Sequence, residues 1–149
     1  LVCNAAYIYS RVRFEDGAPE RDRPLAGQSP YLVNAGLFYQ HDDKGISASL
    51  LYNRIGKRIE SVGVPMQNES EDIPDIYEMP RNSLDLTFSK KIGKFVEIKA
   101  GVQDLLNSKV EYKQFVKLTD ENGGKREREQ LIRSYRPGVD INVGVSLKF

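Results

Sequence analysis

The stretch that decides the fold is Val139–Phe149, which has the sequence VDINVGVSLKF. Its odd positions, from Val139 to Phe149, are all apolar, and its even positions, from Asp140 to Lys148, are polar or glycine. Successive side chains of a β-strand point to opposite faces, so the stretch predicts a strand with one apolar and one polar face. Its length matches the roughly 9–11 residues with which a tilted strand crosses a bilayer. The apolar face can belong against a soluble core or against lipid, and the stretch alone leaves both alternatives open.

Composition narrows the classes of function. A chain of 149 residues is enough for one domain, and its charged residues, 29% of the total, nearly cancel to a formal net charge of +1. A nucleic-acid-binding protein would have a strong basic excess, so nucleic acid is not expected as a partner. No apolar run reaches the roughly 18–20 residues of a membrane-spanning helix. The single cysteine, Cys3, cannot form an internal disulfide.

Five further stretches are rich in β-forming residues, and together with the last one they predict an all-β chain. Most of them alternate apolar and polar residues, although Leu51 and Ile55 interrupt one polar face and the first stretch has an ambiguous pattern. The six predicted strands are Leu1–Phe14, Tyr31–Gln40, Ile46–Gly56, Arg81–Lys91, Phe95–Leu106 and Val139–Phe149. The alternation slips at Asp104–Leu106, which indicates either a bulge or a membrane interface. Tyr112–Leu118 is a candidate continuation of the fifth strand.

The connections between the predicted strands alternate long, short, long, short, long. The long ones, Glu15–Pro30, Lys57–Pro80 and Thr119–Gly138, contain prolines, glycines and charges and are expected to be loops. The mixed-sign run at 125–129 is expected to be solvated. The pattern predicts an antiparallel meander with all long loops at one end, which is typical of outer-membrane β-barrels. Six strands cannot close such a barrel, so either a hairpin is missed or the chain is part of a larger barrel.

Three segments resemble the C-terminal end of the TonB-dependent outer-membrane receptors of Bacteroidetes-type bacteria. They are GQSPYLVN at Gly27–Asn34, GVQDLLN at Gly101–Asn107, and the ending YRPGVDINVGVSLKF with its terminal Phe149. The resemblance covers nearly the whole chain. It implies an antiparallel transmembrane β-barrel of about 22 strands, in which residues 1–149 form the last six strands. The plug domain and the TonB-contacting segment are then not among these residues.

The resemblance also implies a function in transport and not in catalysis. The expected activity is TonB-dependent import of a nutrient such as an iron chelate, haem, a vitamin, a peptide or a glycan, with no cofactor. The expected location is the outer membrane of the cell. The implied partners are the remainder of the barrel and the plug, the TonB complex, the barrel-assembly machinery, lipid and lipopolysaccharide, and in some members a surface lipoprotein.

The predicted barrel and the resemblance assign roles to particular residues. The last strand should face lipid through Val139, Ile141 and Val143. Val145, Leu147 and Phe149 should form the signal that the barrel-assembly machinery binds by β-augmentation. Tyrosines near strand ends fit aromatic girdles, namely Tyr39, Tyr52 and Tyr135. Four arginines of the long connections are candidate contacts for an anionic ligand or lipopolysaccharide, with solvated loop charge as the alternative: Arg21, Arg23, Arg126 and Arg128.

Two other functions stay open at this point. A complete outer-membrane barrel of eight strands, structural or adhesive in role, requires the first strand to pair with the last. A soluble β-sandwich binding module requires the apolar faces to pack on each other within the chain. No catalytic motif supports an enzyme. His41 beside Asp42 and Asp43 lacks the converging ligand set of a metal site.

Overall fold

The computed structural model describes residues 1–14, 22–64, 66, 72–119 and 124–147. These residues form ten β-strands in two antiparallel sheets, with no helix among them, which confirms the prediction of an all-β chain. The strands are β1 (Val2–Tyr7), β2 (Tyr31–His41), β3 (Ile46–Ile55), β4 (Arg58–Ser61), β5 (Ile76–Glu78), β6 (Arg81–Ile92), β7 (Val96–Gln103), β8 (Val110–Thr119), β9 (Lys125–Tyr135) and β10 (Asp140–Leu147).

The first sheet contains six strands in the order β1-β2-β3-β6-β7-β10, which are the six strands predicted from the sequence. The last strand, β10, pairs with β7 over its whole length, from Asp140 opposite Gln103 to Leu147 opposite Val96. The turn between β2 and β3 needs Gly45, which has φ +58° and whose Cβ, if present, would lie 2.9 Å from Cβ of Lys91. The strand order and the antiparallel pairing confirm the predicted meander for these six strands.

Two strands are clearly shorter than predicted. The first ends at Tyr7, beyond which Ile8 donates to the Pro30 carbonyl at 2.8 Å and the chain leaves the sheet. The fifth ends at Gln103, because Asp104 has φ +51° and cannot continue an extended strand. The slip of alternation at Asp104 thus marks the end of a strand.

The second sheet contains four strands in the order β4-β5-β8-β9, and it corrects the prediction that residues 57–80 and 119–138 are loops. β5 was not predicted because it occupies only the three residues 76–78 between Pro74 and Pro80. β9 was not predicted because it begins with the charge run at 125–129. Such a run is stable in a strand when opposite charges face each other on neighbouring strands, as Lys113 and Glu129 do at 2.6 Å.

The second sheet continues four strands of the first sheet past a break in each. β4 follows β3 after two residues, β5 precedes β6 by two residues, β8 follows β7, and β9 precedes β10. The order of the four continuations matches the order of their parents. The proposed continuation at 112–118 is thus present as β8, in a separate sheet. The second sheet accordingly grows from the end of the meander that carries the long connections.

Close packing accounts for the break between β3 and β4. Gly56 is buried and donates to the Tyr31 carbonyl at 3.1 Å. A Cβ on Gly56 would lie 2.6 Å from the Tyr31 ring, so only glycine allows that ring to pack against the backbone here. The chain therefore changes sheets at Gly56 and Lys57.

The six-stranded sheet has one apolar and one polar face, as its register shows. One lateral row of the apolar face contains Tyr39, Ala48, Phe88, Ala100 and Val143. The next row contains Leu37, Leu50, Leu86, Val102 and Ile141. The opposite face carries hydrogen-bonded polar pairs, including Ser47 with Ser89 at 2.7 Å and Ser49 with Thr87 at 2.5 Å. Phe38 and Leu51 interrupt that face beside Gly36.

Burial is concentrated in the second sheet. Among the described residues the buried apolar side chains are Ile59, Val110 and Tyr112, all of which lie there. On β10, by contrast, Ile141 and Val143 are each 71% exposed. The chain exposes 10882 Å², whereas a folded soluble monomer of 16.9 kDa exposes about 7700 Å². The described part of the chain therefore leaves the apolar face of the first sheet uncovered.

Candidate functional site

A cleft of about 330 Å³ lies on one face of the second sheet. Its floor consists of residues from β5, β8 and β9 together with Lys57, and residues of the long connections form its rim. The lining residues are Asp22, Arg23, Pro24, Lys57, Gly63, Asp72, Ile73, Pro74, Asp75, Tyr77, Phe115, Lys117 and Glu127. This volume is at the lower end of the range for small-molecule sites.

Strand register explains why the cleft combines aromatic and charged side chains. Phe115 pairs with Glu129, and Lys117 pairs with Glu127, so these four side chains share one face of β8 and β9. Tyr77 of β5 pairs with Lys113 of β8 and joins the same face. The rings of Tyr77 and Phe115 meet edge to face, with centroids 5.7 Å apart and planes at 70°.

Lys57 lies between the two rings. Its Nζ atom is 3.9 Å from the centre of the Tyr77 ring and 3.8 Å from the centre of the Phe115 ring, so the ammonium makes two cation–π contacts. Burial lowers the pKa of Lys57 below 10.5, while the charges of Glu127 and Glu129 act in the opposite direction. The ammonium is thus held against aromatic surface with part of its hydration removed.

Asp75 fixes one wall of the cleft. Its Oδ1 atom accepts from the Gly63 amide at 2.7 Å, and its Oδ2 atom lies 3.5 Å from the Tyr77 hydroxyl. Burial and the neighbouring Asp75 carboxylate raise the pKa of Tyr77 above 10.0, so the phenol stays protonated. Gly63 is required for this wall, because a Cβ there would lie 1.9 Å from the Ile73 carbonyl oxygen.

The rim is joined to the sheet by contacts of the first long connection. The Gly27 amide donates to the Ile59 carbonyl at 2.7 Å. Arg11 forms an ion pair with Asp22 at 2.7 Å. The Arg23 guanidinium lies 5.3 Å from the centre of the Phe14 ring, and its backbone pairs with Val12. These contacts hold residues 22–24 at the rim.

A second lysine of the same face is in a different environment. Lys113 lies 2.6 Å from Glu129 and 3.5 Å from Glu111. The hydrogen bond to Glu129 raises its pKa above 10.5. Lys113 thus pairs with carboxylates beside the cleft, whereas Lys57 lines the cleft and is held by aromatic rings.

The predicted arginines separate in the structure. Arg23 lines the cleft. Arg126 and Arg128 pair in register with Leu118 and Val116, so they belong to the opposite face of β9 and do not join Arg23. Arg21 lies outside the described residues.

The predicted residues of the last strand lie on the exposed apolar face where they are described. Val139, Ile141, Val143, Val145 and Leu147 are 41 to 71% exposed. Phe149 lies outside the described residues. Of the predicted girdle tyrosines, Tyr39 and Tyr52 lie in the first sheet, whereas Tyr135 stacks on Tyr112 in the second at 6.5 Å.

The most informative residues of the cleft were missed by the sequence analysis. Lys57, Tyr77 and Glu127 lie in stretches expected to be loops, and Phe115 was noted only as part of a strand continuation. A usable indication was present, because residues 111–117 contain the β-forming residues Tyr112, Phe115 and Val116 and no proline or glycine. Treating that segment as a full strand would have placed Phe115 and Lys117 on one face.

Other chemistry has less support in the described part of the chain. No group of three or more histidine, cysteine, aspartate or glutamate side chains is placed there to hold a metal ion. His41 instead accepts from the Lys44 amide at 3.4 Å within its turn. Among the residues with described positions, no helix is long and apolar enough to span a membrane.

Comparisons with known proteins identified no relative of this chain. No protein-family model matches the chain, and no curated protein or solved structure matches it.

Proposed function

We propose that the chain forms part of the wall and outer loops of an outer-membrane β-barrel that imports a nutrient with energy supplied through TonB. The observation that carries this proposal is the uncovered apolar face of the six-stranded sheet, opposite a polar, hydrogen-bonded face. Lipid outside and a wet lumen inside are the surroundings that suit such a pair of faces.

The dimensions of the sheet support this proposal. Ten residue steps separate Tyr31 from His41 on β2, or about 33 Å at about 3.3 Å per residue. Tilted by about 40°, such a strand spans about 25 Å, the height of the apolar band of an outer-membrane barrel. Aromatic residues lie toward both ends of the strand, with Tyr31 and Tyr7 paired at one end and Tyr39 near the other.

The edges of the sheet favour a larger barrel. Within the described residues, β1 pairs only with β2 and β10 only with β7, so each leaves one edge unpaired. An unpaired edge in lipid costs several kcal/mol for each exposed polar group, and further strands would remove that cost. The remainder of the barrel and a plug domain are accordingly proposed as partners, together with the barrel-assembly machinery and lipopolysaccharide.

Import is proposed from the cleft together with the resemblance to TonB-dependent receptors. All three long connections lie at one end of the meander, where they build the second sheet and the cleft. In a receptor of that family this end faces outward, where a nutrient is first bound. The side chains of the cleft suit binding and supply no catalytic constellation among the described residues.

The two alternatives have less support. A β-sandwich would pack the apolar faces of the chain on each other, yet Val143 and Ile141 are mostly exposed. A complete eight-stranded barrel would pair β1 with β10, and in the described residues those strands lie at opposite edges of one sheet. Neither alternative accounts for an uncovered face with open edges.

Site-directed spin labelling of the full-length protein in bilayers tests the membrane part of the proposal. Cys3 is exposed and is first replaced by serine. Labels at Ile141, Val143 and Val145 should collide mainly with oxygen, which concentrates in hydrocarbon. Labels at Asn142, Gly144 and Ser146 should collide mainly with a water-soluble nickel complex. Equal accessibility of the two sets would contradict a lipid-facing strand.

The TonB-dependent part requires its own experiment. The full-length protein in detergent should bind the purified periplasmic domain of TonB, and an unrelated outer-membrane porin should not. If the protein binds TonB no better than the porin does, energised import is ruled out even where the labelling supports a barrel.

A further inference from the structure

The ammonium of Lys57 already occupies a site built for a cation. Two aromatic rings from different strands approach it within 3.9 Å and 3.8 Å of their centres. The faces of aromatic rings are electron-rich, and cages of such rings are a common way of binding organic ammonium groups. Tyr77 and Phe115 thus form two walls of a cage, which we call the aromatic cage.

The charges around the aromatic cage also suit a cation. When Lys57 is counted as an occupant, the cleft is lined by four carboxylates and two cations: Asp22, Asp72, Asp75 and Glu127 against Arg23 and Lys117. Glu127 and Glu129 act on the charge of Lys57 across the cleft. Asp22 is paired with Arg11, but the other three carboxylates still outnumber Arg23 and Lys117, so the charges around the aromatic cage favour a cation.

A lysine is an imperfect occupant of this place. A primary ammonium is compact and strongly hydrated, whereas guanidinium and quaternary ammonium groups are weakly hydrated and lose less on entering an aromatic cage. The lowered pKa of Lys57 reflects that lost hydration, which the neighbouring glutamates only partly offset. Lys57 is nevertheless held near the rings because its backbone is anchored at Gly56.

We propose that the cleft binds the weakly hydrated organic cation of a ligand between Tyr77 and Phe115, in the place that the Lys57 ammonium holds when the cleft is empty. Lys57 is then a tethered competitor, which moves into solvent or toward Glu127 as the ligand enters. The flexible four-carbon side chain of lysine allows such a movement without a change in the backbone.

This inference rests on the proposed function only for the import that comes after binding. Binding itself needs neither TonB nor a membrane potential. It can therefore be measured on the full-length protein in detergent, and its outcome is independent of the labelling and TonB experiments.

The test uses choline as the cation and dimethylbutanol, its uncharged isostere, as the control ligand, with affinities measured by calorimetry. Lys57→Met removes the competing charge and retains an unbranched side chain of similar length. This variant should bind choline at least fivefold more tightly than the wild-type protein does. It should also prefer choline to dimethylbutanol, because only choline gains from the ring faces and the carboxylates.

Two further variants make the test specific. Lys113→Met removes a lysine of the same face that contacts glutamates and not the rings and does not line the cleft, so its gain in choline affinity should be far smaller than that of Lys57→Met. Adding Phe115→Leu to Lys57→Met should abolish the preference for choline. Equal affinity of Lys57→Met for choline and dimethylbutanol, or an equal gain from Lys113→Met, would overturn the inference. Binding that succeeds while the TonB experiment fails would leave the aromatic cage intact and reject import.

Discussion

The Nζ atom of Lys57 lies 3.8 Å from the centre of the Phe115 ring, although the two residues belong to segments far apart in the sequence. The contact exists because Gly56 ends β3 and passes the chain into a second sheet, where β5 lies between β4 and β8. The break in the first sheet at Gly56 thus brings Lys57 into the cleft beside Phe115.

The pKa values of Lys57 and Lys113 should depart from 10.5 in opposite directions. Burial against the rings lowers the pKa of Lys57, and the hydrogen bond to Glu129 raises that of Lys113. NMR of lysines labelled with carbon-13 at Cε should resolve one midpoint below 10.5 and one above it. Glu129→Gln should lower the midpoint of Lys113. A Lys57 midpoint at or above that of Lys113 would show that the ammonium is not held in the cage.

The sign of the Lys57 effect on stability is set by linkage. The unfolded state keeps the ordinary pKa of 10.5, so between the lowered folded value and 10.5 the unfolded state binds more protons. The Lys57 contribution to stability should therefore rise with pH across that interval, as the penalty for burying the charged amine is relieved. Lys57→Met should remove this rise in a denaturation series over alkaline pH, while Lys113→Met should retain it.

Gly63→Ala should disrupt the wall of the cleft. The new Cβ would lie 1.9 Å from the Ile73 carbonyl oxygen, so the backbone must shift and the Gly63 amide loses its bond to Asp75. Overpacking of this kind costs about 1–3 kcal/mol. Hydrogen exchange should become faster at the Val64 and Ile73 amides, which bond to each other's carbonyls. Gly144→Ala is the control, since its Cβ meets nothing within 4 Å.

Asp104 combines a left-handed backbone with an ion pair, and two replacements separate these properties. Its φ is +51°, its amide donates to Asp85 Oδ1 at 2.9 Å, and its carboxylate lies 3.3 Å from Arg81. Asparagine tolerates this backbone, so Asp104→Asn should lose only the charge of the hydrogen-bonded ion pair, at a cost of about 1.5–3 kcal/mol. The β-branched Asp104→Val should cost a further 1–2 kcal/mol or so. Urea unfolding in detergent measures both, and equal losses would refute a backbone requirement.

A charged substitution should destabilise the protein on the apolar face of β10 and be tolerated on its polar face. Val143 lies in the middle rows of the apolar face, and arginine near the bilayer midplane of a barrel costs about 2–4 kcal/mol. Val143→Arg should therefore lower folding efficiency into lipid vesicles, measured by protease protection. Gly144→Arg, one residue away on the opposite face and in open space, should fold nearly as well as the parent. An equal loss from both would count against a membrane-spanning β10.

The six strands of the first sheet could be predicted because their information is local. On β10, Ile141, Val143 and Val145 lie on one face whatever the rest of the chain does, since alternation alone determines which side chains share a face. The order of the strands could be read from the lengths of the connections. Strand ends were less accurate: the local φ of Asp104, which no alternation reveals, ends β7 at Gln103.

The second sheet and its cleft were not predictable in the same way. β5 has only three residues between two prolines, and β9 carries alternating charges that resemble a solvated loop. Each becomes stable only through its partner strands, as with the Lys113–Glu129 ion pair and the Arg58–Glu78 ion pair at 2.6 Å. The candidate arginines were chosen by charge alone, and only the register shows that Arg128 is on the other face from Glu127.

The sequence alone determined the all-β class, the two faces of the long strands and the meander, because the alternation of apolar and polar residues is a pattern between neighbouring positions. The tertiary structure decided that the long connections form a second sheet and that Lys57, Tyr77 and Phe115 meet in it. That meeting depends on pairing between distant segments and on a glycine that lets a tyrosine ring pack against the backbone. Neither is encoded in any short stretch of the chain.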